Sequence, residues 1–351
     1  MNRSFSLYIL VSVLVLSCNQ MNEAYDDSDG LNAFNADTLG KNISVLASDE
    51  FLGRKPFSEG ETKTIQFLKE QFIAAGLEPG NDHSYLQEVP MVRITTDASP
   101  IMQVSSKKGN FSLKGPEDFT IWTDKTDSIL VLDRADVVFA GYGVVAPEYN
   151  WNDYEGLDVR GKVVLVLVND PGFNAGDTSL FKGKTMTYYG RWTYKFEEAA
   201  RQGAKGCLII HNTVAASYPF KVVQNNWNTS RLRLDNRGKE EKLCDIIGWV
   251  SGPASQQLLA ACGYDSTLLA KADRRGFKSV PLEVKLSAQM RVKTTYDKSH
   301  NVIGKITGSK YPDETIIYTA HWDHLGIGTP DKTGDTIYNG AMDNASATAG
   351  L

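Results

Sequence analysis

The sequence predicts an α/β fold, in which helices and strands alternate along the chain. Three stretches carry this prediction: residues 58–76 have the apolar spacing of an amphipathic helix, residues 191–210 indicate a helix followed by a strand, and residues 316–319 indicate a buried strand. That last strand leads into a glycine-rich loop with two histidines and an aspartate. Ligands bind at strand ends in open α/β sheets, so this loop is the first candidate for a functional site.

Composition indicates a folded protein and argues against a nucleic-acid partner. Of the 351 residues, 42% are hydrophobic and 23% are charged, which is ordinary for a globular protein, and the length is sufficient for two domains. The formal net charge is -5, and Lys and Arg form no clustered block. Because nucleic-acid binding normally requires a basic surface, we expect no such partner.

The N-terminus has the pattern of an export signal. Arg3 precedes an apolar run from Phe5 to Leu16 that is too short to span a bilayer as a helix. The run ends in the sequence VLSC, which resembles the lipobox of bacterial lipoproteins, in which the cysteine becomes lipid-modified. We therefore predict a lipoprotein signal peptide at 1–18. The alternative is a cleaved secretory signal in which the cysteine is incidental.

The segment after the signal predicts a tether. Residues 19–36 begin with a polar, acidic stretch that cannot build a core, so we expect a flexible linker. Together with a lipid on Cys18, this predicts an exported protein anchored in the bacterial periplasm or cell envelope, with no other contact to the membrane.

The remaining cysteines predict no metal or disulfide framework. Cys207, Cys244 and Cys262 lie in apolar surroundings and lack the spacing of a zinc finger or of a disulfide-rich domain. We expect small buried side chains with at most one disulfide among them.

The elements can be placed in order from the local patterns. Ser58 and Glu61 have the spacing of a capping box, and Gly76 is a natural end for the helix that they begin. Another helix ends at Gly203, and a third begins near Pro253. One face of the first helix is formed by Ile65, Leu68, Phe72 and Ala75. Strands are predicted within 85–92, 128–132, 135–144, 161–172, 207–210, 244–250, 280–297 and 316–319, and a long surface loop within 213–238.

Side chains that commonly bind metal ions follow the strand at 316–319. A histidine ligand needs its second ring nitrogen held by a partner, and Asp323 is placed to do this for His321. Asp343, in the next loop, is a candidate for a carboxylate that bridges two metal ions, and Asn344 is the predicted N-cap of the helix after it. From residue types alone, however, a histidine at a strand end is more often an ordinary surface or core residue than a ligand.

The wider sequence resembles a known enzyme family. The motifs AHWDHLG and DTIYNGAMDNASATAGL resemble those of the co-catalytic zinc peptidases related to bacterial leucyl aminopeptidases, glutamate carboxypeptidase and the transferrin receptor. LASDEFLGR and AAGLEPG are similar to the N-terminal segment of that family, and FAGYGV and AARQGAKGCLII to its inserted protease-associated domain. The resemblance implies a three-layer zinc-peptidase domain, a mixed sheet flanked by helices, at 37–135 and 286–351, with a β-rich α/β insert at 136–285.

The resemblance also implies roles for individual residues. His321 would bind one zinc ion, Asp323 would orient the His321 ring, and Asp343 would bridge two zinc ions. The peptide bond between Asp343 and Asn344 would often be cis. We expect His324, which stands beside the ligand, to be a loop residue or a supporting partner rather than a ligand.

The function implied is that of a zinc exopeptidase acting on peptide substrates, most simply an aminopeptidase. In the family a later glutamate pair supplies the general base and a ligand, and a further acidic residue and a histidine complete the site. None of these positions occurs in this chain, so we expect a C-terminally truncated catalytic domain with little activity of its own. The alternatives are an enzyme like glutamate carboxypeptidase, or a metal-free receptor or binding protein on the same scaffold.

Overall fold

The computed structural model describes residues 28–32 and 34–351. The predicted lipoprotein signal, with Cys18, and the tether up to residue 27 lie outside the described residues. None of the helices in the described ranges has the length and hydrophobicity needed to cross a bilayer. Cys207, Cys244 and Cys262 are all free, and the first two are buried, as expected of small apolar side chains.

The described residues form nine α-helices and sixteen strands. The α-helices are α1 Ser28–Asn32, α2 Ala36–Leu46, α3 Glu59–Ala74, α4 Trp192–Arg201, α5 Thr213–Ala216, α6 Phe220–Gln224, α7 Gly252–Ala261, α8 Ser266–Lys271 and α9 Ser346–Gly350. The strands are β1 Glu78–Pro79, β2 Leu86–Ala98, β3 Ile101–Ser106, β4 Gly109–Lys114, β5 Phe119–Trp122, β6 Ile129–Phe139, β7 Val145–Ala146, β8 Trp151–Asn152, β9 Val163–Leu167, β10 Gly206–Ile210, β11 Ser230–Leu234, β12 Ile246–Val250, β13 Val280–Val302, β14 Gly304–Lys305, β15 Gly326–Ile327 and β16 Ile337–Tyr338.

The chain packs as two units. Among the described residues, one unit consists of those up to Leu86 together with Val302–Leu351, and the other is Gln87–Asn301. We call them the split unit and the continuous unit. This division follows packing within the molecule, whereas the boundaries predicted at 135 and 285 follow the family resemblance and remain predictions.

The continuous unit is built on a ten-stranded mixed sheet. The strands β6, β9, β10 and β12 are parallel neighbours, whereas β5, β3 and β11 each join the sheet by antiparallel pairing. In β9, alternate residues enter two different apolar clusters, one that includes Leu165 and one that includes Val166. Helix α7 contributes to the first cluster and α4 to the second, so both faces of these parallel strands are covered. The predicted α/β class is therefore confirmed.

Local predictions hold for most of this unit. The helix predicted to end at Gly203 and the strand after it are α4 and β10, and the helix predicted from Pro253 is α7. The prediction of a long surface loop at 213–238 is wrong, because this segment forms α5, α6 and β11. Strand β11 pairs with β2 through the alternating run SRLRL, whose arginines masked the strand pattern.

The split unit has a small core around α2 and α3. Leu46, Phe51, Leu68 and Ala345 are its buried apolar residues. Helix α3 confirms the helix predicted at 58–76, but its capping box is not formed. The Ser58 hydroxyl donates to the Lys55 carbonyl, and the Glu61 carboxylate accepts from the Phe57 amide at 2.6 Å.

The strand predicted at 316–319 is not present. This segment has no regular structure, and Ile316, Ile317 and Tyr318 are 81%, 76% and 79% exposed. A strand needs neighbours that satisfy its backbone hydrogen-bonding groups, and no described strand pairs with this run. The prediction of a buried strand is therefore wrong for the described residues, although the residues that follow the run still come together.

Candidate metal centre

The candidate residues lie on two loops joined by a short hairpin. His321, Asp323 and His324 precede β15, which pairs antiparallel with β16. Asp343 lies in the irregular turn Ala341–Ala345 that follows β16. The peptide bond between Asp343 and Asn344 is cis, as the family resemblance implied. The hairpin therefore returns the chain so that the second loop lies beside the first.

The structure brings the three predicted site residues together. His321 Nε2 lies 3.2 Å from Asp343 Oδ1, and His321 Nδ1 lies 3.4 Å from Asp323 Oδ1. Nδ1 is also 3.1 Å from the Asp323 backbone oxygen. The side chains of His321, Asp323 and Asp343 are 55%, 48% and 69% exposed, so the centre is open.

These contacts are compatible with metal binding through Nε2 of His321. Two oxygens of Asp323 face Nδ1, and both can only accept a hydrogen bond from it. A metal ion on Nε2 would leave the ring proton on Nδ1, where these oxygens accept it, and the Nε2 lone pair would lie on the side of the Asp343 carboxylate. A histidine nitrogen and a carboxylate oxygen are both usual zinc ligands.

The donor atoms have a separation that suits one metal ion. In a tetrahedral zinc site with bonds of about 2.1 Å, two ligand atoms lie about 3.4 Å apart. The 3.2 Å between His321 Nε2 and Asp343 Oδ1 is close to this value, so the two residues fit zinc. Within residues 28–32 and 34–351, no group of three or more His, Cys, Asp or Glu side chains is arranged to hold a metal ion.

His324 lies next to the second oxygen of Asp343. Its Nδ1 is 3.9 Å from Asp343 Oδ2, too far for a hydrogen bond. Burial lowers the pKa of His324, which outweighs the opposing effect of Asp343. Gly340 leaves room for this ring, because a Cβ atom there would lie 2.6 Å from it, and its φ of +64° is also one that glycine adopts readily.

The predicted N-cap role of Asn344 is wrong. Helix α9 begins at Ser346, and the Asn344 amide instead donates to the His321 backbone oxygen at 3.2 Å. The Thr348 hydroxyl donates to the same oxygen at 2.9 Å. Both side chains therefore hold the backbone of His321.

Sequence reasoning missed Arg54. Its side chain is fully buried, and its guanidinium donates to the backbone oxygens of Trp322, Asn339 and Gly340, at 2.8, 2.6 and 2.8 Å. These residues belong to the two loops that carry the candidate ligands. The only sequence signal was the resemblance of LASDEFLGR to the family, since nothing local distinguishes this arginine from one on a polar loop.

The candidate residues lie in the part of the chain that matches a family model. Residues 301–351 match peptidase family M28. The match covers the two loops and the hairpin between them, and it confirms the family resemblance predicted from the sequence. We call residues 301–351 the M28 segment. The chain matches no curated protein sequence.

Solved structures of two aminopeptidases and of a peptidase M28 precursor are similar to the chain over part of their length. An aminopeptidase from Aneurinibacillus sp. strain AM-1 is 19% identical, with 90% of this chain and 57% of that chain covered and a TM-score of 0.42. A zinc aminopeptidase from Bacillus subtilis is 17% identical, with 90% of this chain and 56% of that chain covered and a TM-score of 0.37. A peptidase M28 precursor from Shewanella amazonensis SB2B is 15% identical, with 88% of this chain and 61% of that chain covered and a TM-score of 0.35. The chain thus spans less than two thirds of each of them, and TM-scores this low carry no structural argument.

Proposed function

We propose that the protein is a zinc-dependent exopeptidase of the aminopeptidase type, which removes N-terminal residues from peptides. One observation supports this most. His321 Nε2 and Asp343 Oδ1, a histidine and a carboxylate donor, lie 3.2 Å apart within the M28 segment. Zinc at this place would supply a Lewis acid that polarises a peptide carbonyl and acidifies a water molecule.

The residues of this chain prepare the site in three ways. His321 offers the lone pair of Nε2, while Asp323 holds the ring through Nδ1. Asp343 offers Oδ1 on the side of His321 and keeps Oδ2 on the side of His324. A carboxylate with its two oxygens in different surroundings can bridge two ions, so we propose a pair of zinc ions.

The proposed enzyme needs more residues than the described ones bring to this site. Zinc takes about four ligands, and His321 and Asp343 supply two of them. We propose that the other ligands and the general base come from outside the described ranges. The chain of 351 residues should therefore hydrolyse little or no peptide by itself. Hydrolysis by this chain that a chelator abolishes would contradict that expectation.

The experiment uses the protein that the whole gene encodes, not the 351-residue chain by itself. It compares wild type with the variants His321→Ala and Asp343→Asn. Zinc content is measured first, followed by hydrolysis of an aminoacyl reporter substrate with a free α-amine. We expect the gene-encoded wild type, unlike the 351-residue chain alone, to bind zinc and cleave the reporter, and each variant to lose at least about 100-fold in kcat/KM, because a ligand is removed. Asp331→Asn, on the hairpin loop, is the control and should retain activity.

The alternative functions give different results in the same assay. An aminopeptidase should not cleave a reporter whose α-amine is acetylated. Cleavage of a C-terminal glutamate from an N-blocked peptide would instead favour an enzyme like glutamate carboxypeptidase. A folded wild type without zinc and without hydrolysis would exclude both enzymes and favour a receptor or binding protein.

We also propose that the protein is exported and anchored through a lipid on Cys18. The basic residue, the short apolar run and the VLSC sequence support this proposal. Wild type should incorporate labelled fatty acid and remain with bacterial membranes after a salt wash, whereas Cys18→Ser should do neither. Equal fractionation of the two proteins would contradict lipid anchoring.

A further inference from the structure

We propose that Arg54 is a positioning residue for the metal centre, which holds the loop of His321 and the turn of Asp343 in one arrangement. This inference rests on the proposed function only for the identity of the ligand, zinc. The positioning role itself rests on the hydrogen bonds of Arg54. Arg54 ends the short 3-10 turn Asp49–Arg54, which comes more than 260 residues before Trp322 in the chain, and its side chain has no solvent exposure.

The guanidinium joins both loops directly. Its Nε donates at 2.8 Å to the backbone oxygen of Trp322, the residue between His321 and Asp323. Nη1 donates at 2.6 Å to Asn339, and Nη2 donates at 2.8 Å to Gly340, three residues before Asp343. One rigid, planar group therefore fixes the distance between the two loops.

The guanidinium is in turn anchored to a helix end. Nη1 also donates at 2.5 Å to the backbone oxygen of Leu46, the last residue of α2. The last carbonyls of a helix lack partners within the helix and carry partial negative charge, so they are good acceptors for a cation. The core helix α2 thus provides a fixed point from which the two loops are held.

The donors of Arg54 are used on carbonyl groups and leave the carboxylates available. None of the hydrogen bonds of its guanidinium goes to the side chains of Asp323 or Asp343. Its charge still lies near both, and these two aspartates oppose the lowering of its pKa by burial. Arg54 therefore eases the repulsion between the two carboxylates without occupying the oxygens that a metal ion would use.

The rest of the turn also packs on these loops. The Arg54 backbone oxygen accepts from the His324 amide at 3.2 Å, and the Asn339 side chain donates to Asp49 at 2.8 Å. A Cβ atom on Gly53 would lie 2.6 Å from backbone oxygens of both hairpin strands, at Gly326 and Tyr338. The turn thus contacts the hairpin and both loops, which supports a role for the whole turn in positioning them.

Lysine cannot replace this arginine. Its ammonium has three donors on a single atom, whereas Arg54 uses three nitrogens to reach four carbonyls in two loops and a helix end. Arg54→Lys keeps the charge and removes the fork, so it separates the positioning role from a purely electrostatic one. Arg54→Ala opens a space that added guanidinium can enter.

The experiment uses the 351-residue chain with Arg54→Lys, Arg54→Ala and a control, Arg231→Ala. Arg231 stacks on Trp122 at 3.9 Å within the continuous unit, so its loss removes an arginine from the unit that does not carry these loops. The dissociation constant for zinc alone is measured by competition with a chelating dye. Hydrogen exchange is followed at the amides of His324 and Ala345, one in each loop, and circular dichroism checks the fold.

We expect both Arg54 variants to bind zinc about 10- to 100-fold more weakly, the usual effect of losing a residue that supports a metal ligand. Exchange at both amides should accelerate at least about tenfold, which corresponds to a decrease of about 1.4 kcal/mol in the free energy of local opening. Added guanidinium should restore part of the zinc affinity of Arg54→Ala. Arg231→Ala should match wild type in all of these measurements.

Two results would overturn the inference. One is a folded Arg54→Lys that binds zinc within twofold of wild type, and the other is unchanged exchange at both amides. If the 351-residue wild type binds too little zinc to measure, the exchange rates alone decide the role of Arg54, and the proposed function is still decided by the zinc content and hydrolysis of the protein that the whole gene encodes. If Arg54→Ala does not fold, the lysine variant decides.

Discussion

His321 has an aspartate at each ring nitrogen, and the two aspartates present different oxygens to the ring. Asp323 presents a side-chain oxygen and a backbone oxygen to Nδ1, whereas Asp343 presents only a carboxylate oxygen to Nε2. The ring is thus held from one side and open for coordination on the other. The same arrangement makes the Asp323 carboxylate partly redundant, because its backbone oxygen shares the task.

Replacing Asp323 by asparagine tests this division at the level of one residue. The amide can turn an N–H towards Nδ1 and thereby favour a proton on Nε2, the atom that we propose binds zinc. Because the backbone oxygen still accepts from Nδ1, we expect a loss of zinc affinity of only about tenfold, at the low end for such partners. Zinc titration measures the affinity, and ¹⁵N NMR of the imidazole reports the tautomer.

Asp331→Asn is the matched control for this change. Asp331 is an aspartate of the same unit that accepts hydrogen bonds from Thr333 and from the Asp335 amide, away from His321. It should bind zinc like wild type. Asp323→Asn with unchanged affinity and an unchanged tautomer would show that the backbone oxygen alone orients the ring.

At this scale the sequence predicts residues whose partners are close in the chain. Asp323 is two positions from His321, and the two histidines lie in one recognisable motif, so their proximity could be expected. Arg54 could not be found in this way, because its partner Gly340 is 286 positions away and offers only a backbone oxygen. Backbone acceptors leave no pattern of residue types, so only the fold reveals them.

At the level of secondary structure, a strand predicted from its own residues forms only where neighbouring strands are present to pair with it. Val163–Leu167 and residues 316–319 are both apolar and rich in β-branched residues, so they give the same local signal. The first is β9, with β6 and β10 on either side, and the second has no partner strand among the described residues. The difference lies in the neighbours, which local propensity does not report.

The opposite error occurred at β11. Arg231 and Arg233 alternate with two leucines, and the polar residues around them suggested a loop. In the structure, the Arg231 guanidinium stacks on Trp122 and Arg233 pairs with Glu241, so long charged side chains cover the sheet edge. An edge strand can therefore be polar in sequence and still belong to the sheet.

On the scale of the whole molecule, the continuous unit buries charged groups that the proposed metal chemistry does not use. Lys195 is fully buried, and its ammonium has no hydrogen-bond partner among the described residues. Burial lowers the pKa of Lys195 to about 7, against the opposing effects of Asp153, Asp170 and Cys207. Burial likewise raises the pKa of Asp153 to about 7. Each group thus loses much of its tendency to be charged.

These two groups give stability opposite slopes on either side of neutral pH. Between pH 7 and 10.5, Lys195 is protonated in the unfolded chain and largely neutral in the folded one, so its contribution rises with pH. Between pH 3.8 and 7, Asp153 is protonated in the folded chain and ionised in the unfolded one, so its contribution falls as pH rises. Together they contribute least near pH 7.

Lys195→Met tests this linkage. The variant should be more stable than wild type at pH 7, because an unpaired buried amine is removed. Its advantage should shrink towards pH 10 by at most about 1.4 kcal/mol per pH unit. Urea unfolding at pH 7, 8.5 and 10 measures this, and Lys242→Met, at an exposed lysine, should show no such trend. A constant difference between Lys195→Met and wild type over this range would contradict the linkage.

The split unit has a consequence for the order in which the protein folds. Arg54 and Trp322 must meet across 268 positions of chain, and closing a flexible loop of that length costs about 5 kcal/mol. The continuous unit lies inside this loop, and β2 and β13, at its two ends, are neighbours in the sheet, with Asn301 donating to Gln87 at 2.8 Å. If the continuous unit forms first, most of that entropy has already been lost before the candidate ligands assemble. Val302–Leu351 is synthesised after the continuous unit, so it would join the residues up to Leu86 when the two ends of the intervening chain are already side by side.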